Sequence, residues 1–350
     1  MSPINPSDVN TVQGKYPIQP TNGIPGHEGV GRVVERGSEV TSHLLGDIVV
    51  PLLPALGTWR RMGTYPAANF HVLPPTLPLE AAATLCIKRC EIQPRMCDNH
   101  AAPPSALGML EGFVKLQPGD TVVQNGANSA VGQLVIQLCK LMGYRTVNII
   151  RDRPDWDGTV AMLKGLGADV VTTEAKLKAD MAASGLKAPL LGLNCIGGTA
   201  AFACAKIMGE GGTLVTYGGM SMQPVQAPVG LMIFNDISYR GFWLSGRSVR
   251  FSSTVGGKVP HPSQSNTPLR LSLQVLPPLH PAELNLTSPH RLSREQGLTG
   301  RAAALDRLVA FLMEGKLTVP SCKTYPLEEY KEALAEATSG FKGNKILLKP

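Results

Sequence analysis

Gln124-Asn-Gly-Ala-Asn-Ser-Ala-Val-Gly132 stands between two apolar runs of different period. Thr121-Val-Val-Gln124, after a Pro-Gly-Asp turn, reads as a strand, and Ala130 to Met142 reads as a helix that stops before Gly143. A helix N-terminus offers N–H groups without intrahelical acceptors and the positive end of the dipole, so this junction suits a pyrophosphate. Small residues let the backbone approach such a ligand, and Gly132 permits tight helix–strand packing. The string is an imperfect G-x-G-x-x-G, with Ala127 and Ser129 at the first two glycine positions. An ordinary glycine-containing turn is its other reading; the strand before, the helix after and a second strand on time favour nucleotide binding.

The alternation continues outward. Thr146 to Ile150 reads as a strand, Asp155 to Leu166 as a helix closed by Gly167, and Val170-Val171 as a third strand. Leu190 to Asn194, a helix over Thr199 to Met208, and Thr213 to Thr216 follow. Strand–helix repetition at this spacing implies parallel pairing through helical crossovers, an α/β doubly wound sheet. Residues 1–87 differ: short apolar runs such as Val30 to Val34 and Asp47 to Leu53, bounded by Gly and Pro, predict short strands and turns. Residues 88–107 and 246–300 have neither period and are expected to be irregular, the second a disordered insertion. Order is expected again at Ala302 to Glu314, a helix closed by Gly315, then a helix over Leu327 to Thr338 and a strand over Lys345 to Lys349.

Two further motifs carry chemistry. Arg151-Asp152-Arg153 follows the second strand, where an acidic residue would bind ribose hydroxyls and an arginine would accommodate a 2′-phosphate. Two guanidinium groups favour NADPH over NADH, while Asp152 and a solvated charged turn speak for the alternative. Tyr217-Gly218-Gly219-Met220 lies at the C-terminal end of a later strand, where open α/β sheets bind ligands, although a core-packing turn fits equally.

At 350 residues the chain has room for two domains, and 43% apolar with 17% charged residues suits a globular protein. The net charge of +7 is scattered, with no basic run of the kind nucleic-acid binders carry, so no nucleic-acid partner is expected. No uninterrupted apolar run reaches the roughly 18 residues of a membrane span. The seven cysteines form no CxxC pair, which points to reduced thiols rather than disulfides or zinc. The opening residues MSPINPSDVN show neither a signal-peptide h-region nor a transit-peptide pattern, so no address is visible.

Several stretches together resemble the medium-chain dehydrogenase/reductase superfamily, and within it the mitochondrial trans-2-enoyl-thioester reductase branch. They include Ser2-Pro-Ile-Asn-Pro-Ser-Asp8, Gln13-Gly-Lys-Tyr16, Gly26-His-Glu-Gly-Val-Gly31, Gly57-Thr-Trp-Arg60, Asn128-Ser-Ala-Val131, Arg151-Asp-Arg-Pro154, Leu193-Asn-Cys195, Val215-Thr-Tyr-Gly-Gly-Met220 and Arg240-Gly-Phe-Trp-Leu244. The resemblance implies a GroES-like catalytic domain built from residues 1–107 and 319–350, around a Rossmann domain over 108–318. It implies Tyr16 as the catalytic tyrosine and cofactor contacts at Asn128, Ser129, Ala130, Val131, Arg151, Asp152, Arg153, Tyr217, Gly218, Gly219, Met220, Phe242, Trp243, Leu244 and Lys345. Trp59 would be a pocket residue.

The implied activity is reduction of an enoyl-CoA or enoyl-ACP by NADPH in mitochondrial fatty acid synthesis, by a homodimer for which acyl carrier protein is a further partner. The zinc dehydrogenases of the superfamily carry a Cys where this chain has Pro6-Ser7, so His27 reads as structural and no metal is expected. Three departures stand out. The chain opens at the Ser-Pro-Ile-Asn stretch without the family's leading strands; Lys88-Arg-Cys-Glu-Ile-Gln93 replaces a cofactor-contacting helix start; and 246–300 is inserted after Leu244. A zinc-free NADPH:quinone reductase and a catalytically silent binding isoform are the competing readings.

Overall fold

The computed structural model describes residues 1–15, 21–53, 55–85, 102–242, 304–339 and 344–350. Its central layer is a six-stranded sheet built from β5 (Thr121–Asn125), β6 (Arg145–Ile149), β7 (Val170–Thr172), β8 (Leu191–Asn194), β9 (Thr213–Thr216) and β10 (Ser238–Gly241). Every pairing in it is parallel, and the order across the sheet is β10-β9-β8-β5-β6-β7. Counted from β5, this is the 3-2-1-4-5-6 order of the doubly wound nucleotide-binding fold, whose topological switch falls between the first and fourth strands. Here that switch lies between β5 and β8, where Val123 pairs with Gly192.

The central strands β5, β8 and β9 are buried on both faces, as parallel sheets require, whereas the edge strand β10 is partly exposed. Val122, Val123, Leu191, Leu193, Leu214 and Val215 are all fully buried. Helices Ala130–Met142, Trp156–Leu166 and Gly198–Lys206 supply the crossovers. The first two end as the sequence predicts, on Gly143 (φ 76°) and Gly167 (φ 109°) in the left-handed region that glycine adopts without strain. Helix Leu177–Ser184 escapes sequence reading because it buries only Leu177 and carries almost no amphipathic stripe.

Two small sheets flank this layer. β2 (Gly31–Arg32), β3 (Ile48–Pro51) and β4 (Phe70–Leu73) form an antiparallel sheet from the early part of the chain. β1 (Ser2–Pro3) and β11 (Cys322–Pro326) sit on either side of β12 (Lys345–Lys349), so both chain ends meet in one sheet with Ser2 opposite Leu348. One apolar cluster runs from Val50 and Leu73 through Leu85 and Leu110 to Leu138 and Leu347, joining this part to the large sheet.

One expectation is corrected. The irregular segment 88–107 does not extend to its end, because helix Ala102–Gly112 includes residues 102–107. Its two prolines lie at the second and third positions of the helix, in the first turn, where no intrahelical N–H bond is lost. Ala106, Met109 and Leu110 are buried, in the same cluster as Leu134 and Leu138 of the neighbouring helix. Burial of Met109 and Leu110 contributes about 1.5–3 kcal/mol each, a tertiary term that propensity does not contain. Residues 88–101, and all of 246–300, lie outside the described residues. The expected helix over Ala302 to Glu314 is described as helical over residues 304–313, followed by Gly315 at φ 66°. No described helix is long and apolar enough to cross a membrane.

Candidate functional site

The site forms at the carboxyl end of β5, where the chain turns into helix Ala130–Met142. Ser129 is the N-cap (φ −68°, ψ 163°), and its hydroxyl accepts the Gly132 N–H at 3.2 Å. The first helical bond, Gln133 N–H to Ser129 O, closes at 2.9 Å. A helix leaves its first-turn N–H groups without intrahelical acceptors, and Ser129 satisfies one of them. The remaining donors and the dipole give this end an affinity for anions. A Cβ on Gly132 would stand 2.5 Å from the Ala127 carbonyl oxygen, so the tight packing expected of this glycine is present. Gly126 takes φ 61°, and a Cβ there would stand 2.5 Å from Cys195 Sγ.

Arg151 and Arg153 follow β6 on one loop, Arg151 exposed and Arg153 half-buried. Burial, then the neighbouring Arg151 charge, lowers the pKa of Arg153. The Arg151 guanidinium disfavours the charge on Arg153, and an anion bound there would relieve it. Asp152 is exposed and turns back on its own loop, accepting the Arg153 N–H at 3.0 Å.

The Tyr217–Met220 turn follows β9. Tyr217 is only 2% exposed, and burial pushes its phenol well above the ordinary range, so the hydroxyl stays protonated. The Tyr217 hydroxyl lies near the side chains of Cys195, Ser129 and Cys204, which brings the turn to the β5 helix start. A Cβ on Gly218 would stand 3.0 Å from the Cys195 carbonyl oxygen, whereas Gly219 faces open space and Met220 is exposed. A cleft of about 400 Å³ opens at the carboxyl ends of β7, β8 and β9, lined among others by Glu174, Ile196, Gly197, Thr199, Ser221 and Gln223. Ser129 and Arg151 do not line it; Cys195, next to Ile196, is the residue that the Gly126 loop touches.

The other expected residues are placed differently. Phe242 extends the pairing of β10 through its N–H to Thr216 O at 2.9 Å, and its ring packs edge-on to Phe113 at 5.9 Å, inside the core. Trp59 is 9% exposed and packs with Ile4, Ile346 and Leu348, its indole nitrogen buried with no partner among the described residues. Lys345 opens β12 and donates from Nζ to Asn5 Oδ1, beside the start of helix Pro6–Val12. Tyr16, Trp243 and Leu244 lie outside the described residues. His27 is buried, with Nε2 against Thr11 Oγ1 at 2.8 Å and its backbone N–H on Asp8 Oδ1 at 2.9 Å. Among the described residues no group of three His, Cys, Asp or Glu is placed to hold a metal ion.

Sequence reading missed the residues beneath the site, Asn125 and Asn194. Asn125 is 1% exposed and Asn194 fully buried, and their side chains meet at 2.7 Å across the switch point. The available signal was an amide closing each apolar run, at the strand end where doubly wound sheets bind ligands.

Sheet order and site define a two-part dehydrogenase/reductase of the medium-chain type. The Alcohol dehydrogenase GroES-like domain model matches residues 1–72, and the Zinc-binding dehydrogenase model matches residues 130–255. The human mitochondrial enoyl-[acyl-carrier-protein] reductase is 37% identical over 351 residues, covering 99% of this chain and 78% of that protein. Its Caenorhabditis elegans counterpart is 44% identical over 246 residues, covering 70% of this chain and 67% of that protein. The chain belongs to the mitochondrial enoyl-[acyl-carrier-protein] reductase family.

Solved structures agree. The Etr1p complex with NADP and crotonyl-CoA has a TM-score of 0.76 at 29% identity, covering 100% of this chain and 88% of that chain. A Pseudomonas syringae quinone oxidoreductase has a TM-score of 0.71 at 20% identity, covering 100% and 89%, and shares the fold alone.

Proposed function

We propose that this chain is a mitochondrial, NADPH-dependent trans-2-enoyl-thioester reductase that saturates enoyl-CoA or enoyl-ACP. The observation that carries the reading is the capped helix start at Ser129 on a sheet of the nucleotide-binding order, in a member of the enoyl reductase family. The chain fits the cofactor: small residues line the β5 turn, Gly219 faces open space, and Arg151 and Arg153 present paired positive charge for a 2′-phosphate. Asn128 to Val131 would hold the pyrophosphate, Tyr217 to Met220 would lie along the dinucleotide, and Lys345 would reach it from the other lobe.

When bound, NADPH supplies the hydride that adds to the β-carbon of the enoyl thioester. Negative charge then gathers on the thioester oxygen, and preorganised donors there are usually the largest catalytic term. Tyr16 is assigned as such a donor; a phenol pKa near ~10 keeps its O–H in place at neutral pH. The same hydroxyl is suited to the path that returns a proton to the α-carbon. No metal enters this scheme, and the ring nitrogen of His27 is engaged by Thr11.

The assembly would be a homodimer. Among the described residues β10 is paired only with β9, and the helix before it exposes Val229, Ile233 and Phe234 at 66%, 65% and 81%. An unpaired edge beside apolar side chains is a surface that a second copy would cover. A sedimentation mass of one chain would reject the dimer.

The deciding experiment follows NADPH oxidation with trans-2-enoyl thioesters of graded length, against a quinone. Turnover with crotonyl-CoA and none with the quinone is expected; the reverse would overturn the reading.

A further inference from the structure

Asn125 and Asn194 form more than a pair. Asn194 Oδ1 accepts from Asn125 Nδ2 at 2.7 Å, from the Gly197 N–H at 3.0 Å and from the Ile196 N–H at 3.3 Å. Asn194 Nδ2 donates to Thr216 Oγ1 at 3.0 Å, and Asn125 Oδ1 accepts the Cys195 N–H at 2.8 Å. One amide therefore links the carboxyl ends of β5, β8 and β9. Further back in the same strands the buried residues are apolar, Val122, Val123, Leu191 and Leu193 among them. Replacing both partners of a buried polar pair by apolar groups of similar shape is often close to neutral for stability. Here such a replacement would leave the loop N–H groups of Cys195, Ile196 and Gly197 without their acceptors, so the amides serve the loops that follow the strands.

What the amides hold is the geometry of the loops that follow. Gly126, next after Asn125, lies against Cys195, whose N–H is the one that Asn125 accepts. The Cys195 carbonyl takes the Met220 N–H at 3.0 Å, and the Ile196 carbonyl takes the Ser221 N–H at 2.8 Å. The loops after β5, β8 and β9 are thus tied to one another through residues 194–196. On the other face of β5, Gln124 Nε2 donates to the Gly132 carbonyl at 3.0 Å and to Asn148 Oδ1 at 2.8 Å, which anchors the far end of the same turn.

We infer that Asn194, acting with Asn125 and Thr216, is a positioning residue for the cofactor. It fixes the separation of the loops over residues 126–129, 195–197 and 217–221, so that their backbone groups meet a dinucleotide already aligned. Pre-alignment of this kind acts on binding of the dinucleotide and leaves the acyl site alone. The inference rests on the dinucleotide-dependent reduction proposed above.

The test uses the full chain and two variants. Thr216→Val removes one acceptor from Asn194 with little change of shape. It is expected to raise KM for NADPH about two- to tenfold, the scale of one neutral hydrogen bond. It should leave kcat and KM for crotonyl-CoA within twofold. Asn194→Asp places a buried carboxyl beside the phosphate-binding turn. Its ionised form opposes an anionic ligand, and its protonated form restores a donor to Thr216. The ratio of its KM for NADPH to that of the wild type is expected to fall as pH is lowered from about 8 to about 6, which loss of packing would not produce. Fluorescence titration with NADPH gives Kd without turnover, and Thr216→Val decides alone if Asn194→Asp does not fold. Wild-type affinity for NADPH in the variants that fold, or equal loss in kcat and both KM values, would overturn the inference. A wild type that binds NADPH yet reduces no thioester would instead remove the proposed activity and leave this test standing.

Discussion

The two parts of this molecule were built from sequence in opposite ways. The nucleotide-binding sheet is drawn from one continuous stretch, Thr121 to Gly241, and each of its strands is followed by the helix or loop that carries the chain to the next. The GroES-like part is assembled from both ends of the chain, with Ser2–Pro3 paired to Lys345–Lys349 and helix Pro6–Val12 beside the lysine that opens the last strand. The first arrangement places the groups proposed to bind phosphate through local geometry. The second brings in side chains that no neighbouring residue specifies. If the division holds, substitutions in the first part should change cofactor affinity, and substitutions in the second should change turnover.

The largest expected effect tests the second part. Tyr16→Phe should lower kcat roughly a hundredfold or more, the usual loss for one oxyanion donor, with KM for NADPH little changed. Full turnover of crotonyl-CoA by that variant would break the comparison. Next comes the first part. Replacing Arg151 and Arg153 by Ala should weaken NADPH by about 1.5–3 kcal/mol per lost charge-assisted bond, roughly ten- to a hundredfold each, and leave NADH almost unaffected. Steady-state KM values for the two cofactors check it, and an equal loss for both would deny these arginines the 2′-phosphate.

The smallest effect sharpens the comparison inside the first part. Gly132→Ala adds helix propensity of about 1 kcal/mol, but its Cβ would stand 2.5 Å from the Ala127 carbonyl oxygen. Overpacking against backbone costs typically about 1–3 kcal/mol and has no flexible side chain to relieve it. A Tm lowered by a few degrees together with a higher Kd for NADPH is expected; an unchanged Tm would mean that the turn after β5 is not rigid.

The strands and helices of the nucleotide-binding part were legible because their signals are local. Apolar runs of four or five residues, helical spacing and a closing glycine fall within single windows, and Gly143 and Gly167 ended their helices as read. Helix Ala102–Gly112 was not read as a helix, its first half falling in the segment expected to be irregular, because two prolines and a weak stripe hid it, and its stability comes from Met109 and Leu110 packing on a neighbouring helix. Of the site, the Ser129 cap and the Arg151–Arg153 pair were visible as motifs, whereas Phe242 and Trp59 were expected at the cofactor or in a pocket and are packed into cores.

Sequence by itself determined the α/β class, the strand–turn–helix junction at Gln124–Gly132 and the resemblance to enoyl-thioester reductases, because each is written in residues close together along the chain. Tertiary structure alone decided the sheet that joins Ser2 to Leu348 and the amide bond between Asn125 and Asn194. Those partners stand far apart in the chain, and no local period encodes a hydrogen bond that forms only after the crossovers have brought two strand ends together.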